Sequence, residues 1–337
     1  MSQADMTAAA VDEHAASPTK PTAAAQAIRV GFIAGPTGVG KSAAAMTLAV
    51  RLDAEIVNAD SRQVYRGMDI GTAKPGAEDR RRVSHHLLDI RAIDQPIDVV
   101  EFLKLARAAI AEIASRGRNV IVVGGSGFYL RVLRGGIFAG PAAAPKVRRE
   151  LETLAAEHGV EHLHARLAEV DALSAARIGR RYLYRIVRAL EVFRLTGQPI
   201  SAHQQNHRFA AREYETLTIG LAMERERLYE VINRRFDEMI ERGLEGEVRA
   251  LLKAGCDPGG PPLRTVGYRQ IAAAVRGEMT LAEAVELAKR DTRRLAKRQL
   301  TWFRADPEIA WVDAERGPQQ AFSLLGAFFA RPQAARQ

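Results

Sequence analysis

One short segment near the start of the chain has the residue types and spacing that hold a phosphate group. It fits the pattern G-x-x-x-x-G-K-[ST] and consists of Gly35, Pro36, Thr37, Gly38, Val39, Gly40, Lys41 and Ser42. Glycines let successive backbone N–H groups turn toward one anion, and the N-terminus of a following helix adds a favourable dipole. Lys41 supplies a positive charge, and the Ser42 hydroxyl can bind Mg²⁺. This phosphate loop predicts a site for a phosphorylated ligand and magnesium without identifying the ligand.

Two further polar segments each follow an apolar run that is typical of a buried strand. Residues 55–59 lead into Asp60 and Ser61, and residues 119–123 lead into a Gly-Gly-Ser turn that ends at Ser126. In parallel sheets, ligands bind where the carboxyl ends of the strands meet. We therefore expect both segments to converge with the phosphate loop, although they are far apart in sequence. Asp60 is the clearest acid at these strand ends.

The elements around these segments predict an α/β fold. Residues 28–34 are apolar enough for a buried parallel strand, and residues 42–52 form an Ala-rich run that is typical of a helix. Strands and helices alternate as far as residue 123, which favours a P-loop NTPase-like parallel sheet core. Strand character returns at residues 216–221. The helical stretch before it is therefore predicted to be an insertion domain.

These patterns divide the chain into five segments. Residues 1–27 are rich in Ala, Thr, Ser and Pro without apolar periodicity and are predicted to be a disordered tail. The first part of the core covers residues 28–139, the helical basic insertion covers 140–213, and the second part of the core covers 214–317. Residues 318–337 show no informative pattern and are expected to be a second tail. Local patterns also predict a short third strand at residues 86–90 and one helix over residues 224–254.

The composition is that of a globular protein, with 47% hydrophobic and 26% charged residues in a chain of 337. No run of 18 apolar residues occurs and no secretory signal pattern is present, so no membrane association is expected. Cys256 is the only cysteine, which fits a reducing cytoplasm. The formal net charge of +9 indicates either a polyanionic partner or a solvated basic surface.

The positive charge is concentrated in two regions. Residues 177–212 contain eight arginines against one acidic residue, Glu191, a net charge of +7. Residues 264–304 contain ten basic residues against four acidic ones, a net charge of +6. Because Lys and Arg bind nucleic acids by neutralising phosphates, two such surfaces are able to grip a nucleic acid from both sides.

Several stretches over residues 30–313 resemble the tRNA dimethylallyltransferase (isopentenyl-tRNA transferase) family. The most specific is the run at residues 60–75, Asp-Ser-Arg-Gln-Val-Tyr-Arg-Gly-Met-Asp-Ile-Gly-Thr-Ala-Lys-Pro. Other matching stretches are the phosphate loop and residues 85–89, 124–129, 188–192, 266–270 and 296–299. Ser126 stands where the family usually has Thr, which keeps the hydroxyl. Arg181 and Tyr182 stand where an Asn-Asp pair is usual.

The resemblance implies transfer of a dimethylallyl group from dimethylallyl diphosphate to N6 of the adenosine immediately 3′ to the anticodon, tRNA position 37. Diphosphate would leave with the help of Mg²⁺. The resemblance favours Asp60 as the general base that takes the proton of the amine, with Mg²⁺ ligation and helix capping as alternatives. The other implied catalytic residues are Lys41, Ser126 and Thr37, and Arg225 and Arg235 would help to hold the diphosphate.

The implied partner is a tRNA anticodon stem-loop, whose target base would have to be flipped into the site. The expected contacts form three groups: Asp60, Ser61, Arg62, Gln63 and Ser126 near the strand ends; Arg148, Tyr184, Arg185, Ile186, Val187 and Arg188 in the insertion; and Arg264, Thr265, Val266, Gly267, Tyr268 and Arg269 in the second part of the core. We expect a cytoplasmic monomer.

Three other interpretations compete with this one. A P-loop small-molecule kinase would use the same loop for ATP, and an adenylate isopentenyltransferase would prenylate a free nucleotide. The third is a non-catalytic RNA-binding protein with a relic phosphate loop. The basic insertion argues against the first two, and the intact Lys41, Ser42 and Asp60 argue against the third.

Overall fold

Six parallel strands form the sheet on which the rest of the chain is assembled. The computed structural model describes residues 27–137, 140–141, 144–207 and 213–331. The strands are β1 (Arg29–Ala34), β2 (Ala54–Asn58), β3 (His85–His86), β4 (Asn119–Val123), β5 (Glu215–Ala222) and β6 (Ile309–Asp313). Their order is β3-β2-β4-β1-β5-β6, with every neighbouring pair parallel. The predicted parallel α/β core is confirmed.

Helices cover both faces of the sheet because its central strands are apolar on both sides. On one face, Val30 and Phe32 of β1 pack in a cluster with α3 (Val99–Ser115) and α4 (Gly127–Gly135). On the other face, Ile33 packs in a cluster with α1 (Lys41–Arg51), α10 (Arg225–Glu241) and α14 (Pro318–Ala330). This double coverage is typical of parallel sheets. The phosphate loop joins β1 to α1 at the carboxyl edge of the sheet.

Between α4 and β5 the chain forms a helical unit with a core of its own. Its helices are α5 (Pro145–His158), α6 (Val160–Val170), α7 (Ala172–Arg177), α8 (Leu183–Thr196) and α9 (Ile200–His207). Leu163, Ile186 and Leu190 belong to a buried cluster that is separate from the clusters on the sheet. This agrees with the predicted helical insertion. Arg208 and Arg212 lie outside the described residues.

A third cluster fixes the loop at residues 60–75 against the helices of the second core part. Met68 packs with α11 (Leu244–Lys253), α12 (Tyr268–Val275) and α13 (Leu281–Arg304). The Glu247 carboxylate accepts hydrogen bonds from three successive backbone N–H groups at residues 69–71 and from the Tyr268 hydroxyl. Because charge-assisted hydrogen bonds are strong, one carboxylate holds the loop onto the helices. α2 (Ala77–Arg82) follows the loop.

Two predicted elements differ from the structure because of local backbone geometry. The helix expected over residues 224–254 is two helices, since α10 ends at Glu241 and α11 begins at Leu244. Gly243, between them, has a left-handed φ of +95°. The expected third strand at residues 86–90 is reduced to β3, because Leu87 and Asp89 have φ values of +65° and +57°. Positive φ values interrupt an extended strand.

The expected tail at residues 318–337 is wrong for most of its length. α14 covers Pro318–Ala330, and Leu325 and Phe328 are buried against the sheet. A Cβ atom on Gly31 would lie 2.7 Å from Leu325 Cδ2, so α14 packs directly on β1. The expected N-terminal tail falls almost wholly on residues 1–26, outside the described residues.

Candidate active site

Two glycines of the phosphate loop are required by both conformation and space. Gly35 and Gly38 have φ values of +145° and +85°, which other residues rarely adopt. A Cβ atom would lie 2.8 Å from the Leu221 backbone oxygen at Gly35 and 2.7 Å from Ile232 Cγ1 at Gly38. The loop is therefore pressed between β5 and α10, and the directions of its backbone groups are fixed.

α1 begins in a way that leaves its N-terminus available to an anion. Gly40 precedes the helix with left-handed backbone and supplies no side-chain cap, and the first turn contains no acidic residue. Uncapped N–H groups and the helix dipole both favour a negatively charged ligand at this point. Ser42 lies exposed in the same turn. This is the arrangement that the sequence motif predicts for phosphate binding.

Lys41 and Arg235 both experience the charge of one carboxylate, Asp60, beside the loop. Lys41 Nζ donates a hydrogen bond to the Pro36 backbone oxygen at 2.7 Å. Burial lowers the pKa of Lys41 to about 8, the Asp60 carboxylate opposes the shift, and Arg235 adds to it. Burial also lowers the pKa of Arg235, again against the effect of Asp60. Because the cations outnumber the carboxylate and are partly desolvated, a bound anion would stabilise both of them.

Asp60 is held by a turn that immediately follows β2. Its Oδ1 accepts a hydrogen bond from the Arg62 backbone N–H at 2.8 Å, as in an Asx turn. Asp60 is half-buried and lines the same cavity as Thr37 and Gly38 of the phosphate loop. No helix of the described structure begins at this position, so the capping alternative is excluded. The carboxylate is instead presented to the cavity.

The three strand-end segments converge as predicted. The Ala59 N–H donates to the Val123 backbone oxygen at 2.7 Å, and the Ser61 N–H donates to Ser126 Oγ at 3.3 Å. A Cβ atom on Gly124 would collide with the Ala59 backbone oxygen, so only glycine permits this approach. These contacts bring Ser126 next to the segment that carries the candidate base.

A cavity of about 130 Å³ lies between the strand ends and the helices α10 and α13. Its polar lining includes Thr37, Gly38, Asp60, Arg62 and Arg235, and its apolar lining includes Ile232, Phe236, Met239, Val266 and Leu295. Thr265 Oγ1 is buried at this cavity and has no hydrogen-bond partner among the described residues. Apolar and charged surfaces in one small cavity fit a ligand with a short hydrocarbon group joined to phosphates.

Sequence reasoning missed residues on two helices at this cavity. Gln299 of α13 accepts a hydrogen bond from the Thr37 N–H at 2.8 Å and donates one to the Gly125 backbone oxygen at 2.9 Å. Its segment resembles the family, but a neutral amide on a helix carries no chemical signal. Phe236 and Met239 belong to an apolar helical stripe, and such a pattern does not show whether the stripe also lines a cavity.

Four side chains expected to contact tRNA are instead buried inside the protein. Gln63 donates to the backbone oxygen of Thr72 at 3.0 Å, and Tyr268 is fully buried with its hydroxyl on a carboxylate. Ile186 and Val187 belong to the core of the insertion. These four side chains therefore have partners inside the protein, and their contact with tRNA stays a prediction.

One of the two arginines expected at the diphosphate lies away from the cavity. Arg235 lines the cavity, whereas Arg225, at the start of α10, is exposed and lies 5.5 Å from the centroid of the Tyr229 ring. Arg225 is not among the residues that line the cavity, so its contact with the diphosphate stays a prediction.

Two arginines of the insertion bind a carboxylate of the same unit. Arg148 and Arg188 donate to Glu191 at 2.8 Å and 2.6 Å, and the Ala144 N–H donates to it at 2.8 Å. Glu191 is 0% exposed. Burial raises the pKa of Glu191, but hydrogen bonds from the two arginines outweigh that effect, so its pKa lies below the ordinary value. Arg148 and Arg188 thus have a structural role that the charge count did not indicate.

Five neighbouring residues form an exposed aromatic and basic surface at the start of α8, which we call the α8 surface: Arg180, Arg181, Tyr182, Tyr184 and Arg185. Tyr182 and Tyr184 are 61% and 73% exposed. The Arg185 guanidinium lies 5.4 Å from the centroid of the Tyr182 ring. Exposed aromatic rings beside arginines are typical of surfaces that stack on unpaired bases and bind phosphates.

These features define a protein of the P-loop type with a candidate site for a phosphorylated ligand: a parallel sheet, a glycine-rich loop after its first strand, and a cavity lined by Asp60 and Arg235. The family model described as IPP transferase matches residues 63–306, and the chain belongs to that family.

Relatives of known name extend over most of the chain. The tRNA dimethylallyltransferase of Geobacter metallireducens is 52% identical over 285 residues, covering 85% of this chain and 92% of that protein. The enzyme of the same name from Syntrophobacter fumaroxidans is 53% identical over 283 residues, covering 84% and 83%.

Solved structures are similar as well. The tRNA isopentenylpyrophosphate transferase of Bacillus halodurans has a TM-score of 0.66 at 39% identity, covering 90% of this chain and 95% of that chain. A eukaryotic dimethylallyltransferase acting on tRNA has a TM-score of 0.79 at 26% identity, covering 91% and 81%.

Proposed function

We propose that this enzyme transfers a dimethylallyl group from dimethylallyl diphosphate to N6 of the adenosine at tRNA position 37, immediately 3′ to the anticodon. The allylic C–O bond breaks, a C–N bond forms, and diphosphate and a proton are released. The observation that carries the proposal is the cavity that Asp60 and Arg235 line together with apolar side chains, next to the phosphate loop. The names of the relatives supply the acceptor class.

The phosphate loop stabilises the leaving group in this scheme. An allylic diphosphate ionises once the charge of the departing oxygen is stabilised, and preorganised N–H groups and cations supply that stabilisation. Here the backbone N–H groups of the loop, Lys41 and Arg235 perform this role. Ile232, Phe236 and Met239 hold the five-carbon group and exclude water from it.

Asp60 acts on the acceptor. An exocyclic amine is a poor nucleophile because its lone pair is delocalised into the ring. A carboxylate that accepts the N–H hydrogen bond raises the electron density on nitrogen and then takes the proton. Ser126, one hydrogen bond away through Ser61, helps to place the adenosine or a diphosphate oxygen.

The residues present fit a magnesium ion carried by the substrate. No group of three or more His, Cys, Asp or Glu side chains in the described part of the chain could hold a metal by itself. Ser42 would hold the ion together with diphosphate oxygens and water, as is usual for Mg²⁺. When bound, the ion neutralises charge on the diphosphate.

The tRNA is held from two sides in this proposal. The α8 surface binds one side of the anticodon stem-loop, and the exposed basic residues of α13, including Arg294, Lys297 and Arg298, bind the other. The target adenosine is flipped between them into the cavity, since its base is otherwise stacked in the loop.

We also propose that the protein works as a cytoplasmic monomer. Among the described helices, none is long and apolar enough to cross a membrane.

The decisive experiment is mass spectrometry of nucleosides from unmodified tRNA incubated with the protein, dimethylallyl diphosphate and Mg²⁺. We expect a dimethylallyl adduct on the adenosine at position 37. A tRNA that carries guanosine there is the matched control and should remain unmodified. Efficient prenylation of AMP with none on tRNA would contradict the proposal and favour a free-nucleotide enzyme.

A further inference from the structure

One side-chain amide joins the two loops between which the reaction must occur. Gln299 Oε1 accepts the Thr37 N–H at 2.8 Å, and Gln299 Nε2 donates to the Gly125 backbone oxygen at 2.9 Å. Thr37 belongs to the phosphate loop. Gly125 precedes Ser126, whose Oγ accepts the Ser61 N–H. The amide is therefore a direct link between the loop that holds the diphosphate and the segment next to Asp60.

The local structure is shaped around this amide. A Cβ atom on Gly125 would lie 2.8 Å from Gln299 Nε2 and 3.6 Å from Lys41 Nζ, so a larger residue would displace the amide. Gln299 is half-buried, and three residues earlier Ala296 is fully buried in the cluster beneath the sheet. The helix is thus anchored at the point from which the amide extends.

We infer that Gln299 is a positioning residue whose amide fixes the separation between the phosphate loop and the turn at residues 124–126. This inference rests on the proposed function and adds a residue that sets the distance from the bound diphosphate to Asp60. An amide fits both partners at once, because its oxygen accepts from the Thr37 N–H while its NH₂ group donates to the Gly125 carbonyl. Errors of about 1 Å between reacting groups cost about 100-fold in rate, so a link of this kind affects kcat strongly.

Two variants separate the roles of the amide. Gln299→Met keeps the length of the side chain and removes both hydrogen bonds. Gln299→Glu keeps the acceptor for the Thr37 N–H, but its ionised form repels the Gly125 carbonyl and the diphosphate. The control is Gln320→Met, the same change at an exposed glutamine of α14. Circular dichroism and melting temperature establish that each variant is folded at the assay temperature.

The first measurement is single-turnover prenylation of tRNA with saturating substrates. We expect Gln299→Met to lower the rate by about 10- to 100-fold with tRNA affinity unchanged, and Gln320→Met to match the wild type. For Gln299→Glu, the rate relative to Gln299→Met should rise as the pH falls, because a protonated carboxyl regains an O–H donor for Gly125. A rate of Gln299→Met within twofold of the wild type would overturn the inference, as would a loss explained wholly by weaker tRNA binding.

The second measurement is calorimetric binding of inorganic diphosphate with Mg²⁺, which needs no catalysis. We expect affinity to fall by about 3- to 10-fold in Gln299→Met, because the loop is less preorganised, and further in Gln299→Glu. Unchanged or tighter binding in both variants would overturn the inference. Suppose that the wild type prenylates no nucleoside while both variants bind diphosphate more weakly than the wild type does. In that case the proposed function fails and the positioning role of Gln299 stands.

Discussion

The phosphate-loop site and the insertion both concentrate positive charge, but they balance it in different ways. At the site, the half-buried Asp60 carboxylate acts electrostatically on Lys41 and Arg235, and burial lowers the pKa of both cations. In the insertion, Arg148 and Arg188 share the fully buried Glu191. The first arrangement has an excess of positive charge that an anionic ligand would neutralise. In the second, both arginines already have a carboxylate partner within the protein. Cations that look alike in sequence thus divide into those that bind ligands and those that hold the fold.

The largest effect should come from removing the charge of Asp60. We expect Asp60→Asn to lower kcat by about 10²- to 10⁴-fold, the usual contribution of a positioned general base. Affinity for tRNA should be retained because the amide has the same shape. The measurement is single-turnover prenylation alongside tRNA binding. An intact rate with a lost dependence on Mg²⁺ would identify Asp60 as a metal ligand instead.

Removing Glu191 should damage the insertion without touching the chemistry. Glu191→Ala leaves two half-buried arginines without their carboxylate, and breaking a buried ion pair on one side costs about 3–5 kcal/mol. The measurement is the free energy of unfolding from urea denaturation followed by circular dichroism. Arg194→Ala is the control, because Arg194 forms an exposed pair with Glu150 and such pairs contribute about 0–1 kcal/mol. Equal free energies of unfolding for the two variants would show that the ion pairs of Glu191 with Arg148 and Arg188 do not stabilise the insertion.

The pH dependence of kcat/KM for the prenyl donor should report the pKa of Lys41. Lys41 binds the donor as a cation and has a pKa of about 8 in the free enzyme, so it loses its proton as the pH rises through that value. We expect kcat/KM for dimethylallyl diphosphate to be full below pH 8 and to fall about tenfold per unit above it. Lys41→Arg stays charged and should show no such descending limb, although with a lower plateau. A wild-type profile that is flat to pH 10 would exclude this role for Lys41.

The sequence predicted the backbone of the site better than its side-chain partners. The glycines, Lys41 and Asp60 follow from a motif whose spacing fixes local geometry, and parallel strands bring their ends together. Glu191 and Gln299 could not be assigned in this way, because whether a side chain on an amphipathic helix is buried depends on contacts distant in sequence. The same reason hid the packing of α14, because Leu325 and Phe328 are buried only through contact with the sheet, which is distant in sequence.

The smallest effects should separate two arginines that lie one helical turn apart. Arg185 is exposed on the α8 surface, whereas Arg188 binds Glu191 and the Pro141 backbone oxygen. Each phosphate contact contributes about 0.7 to 0.9 to the slope of log affinity against log salt. Arg185→Ala should therefore weaken tRNA binding several-fold and flatten that slope by about one unit.

Arg188→Ala should leave the slope unchanged and lower the stability of the insertion, because its charge already has a protein partner. The measurement is tRNA affinity across a salt series for both variants and the wild type, with binding of inorganic diphosphate as a control that neither change should affect. If Arg188→Ala flattened the slope and Arg185→Ala did not, Arg188 would contact RNA phosphates in spite of its ion pair with Glu191. The division between structural and RNA-binding arginines would then be reversed at this helix.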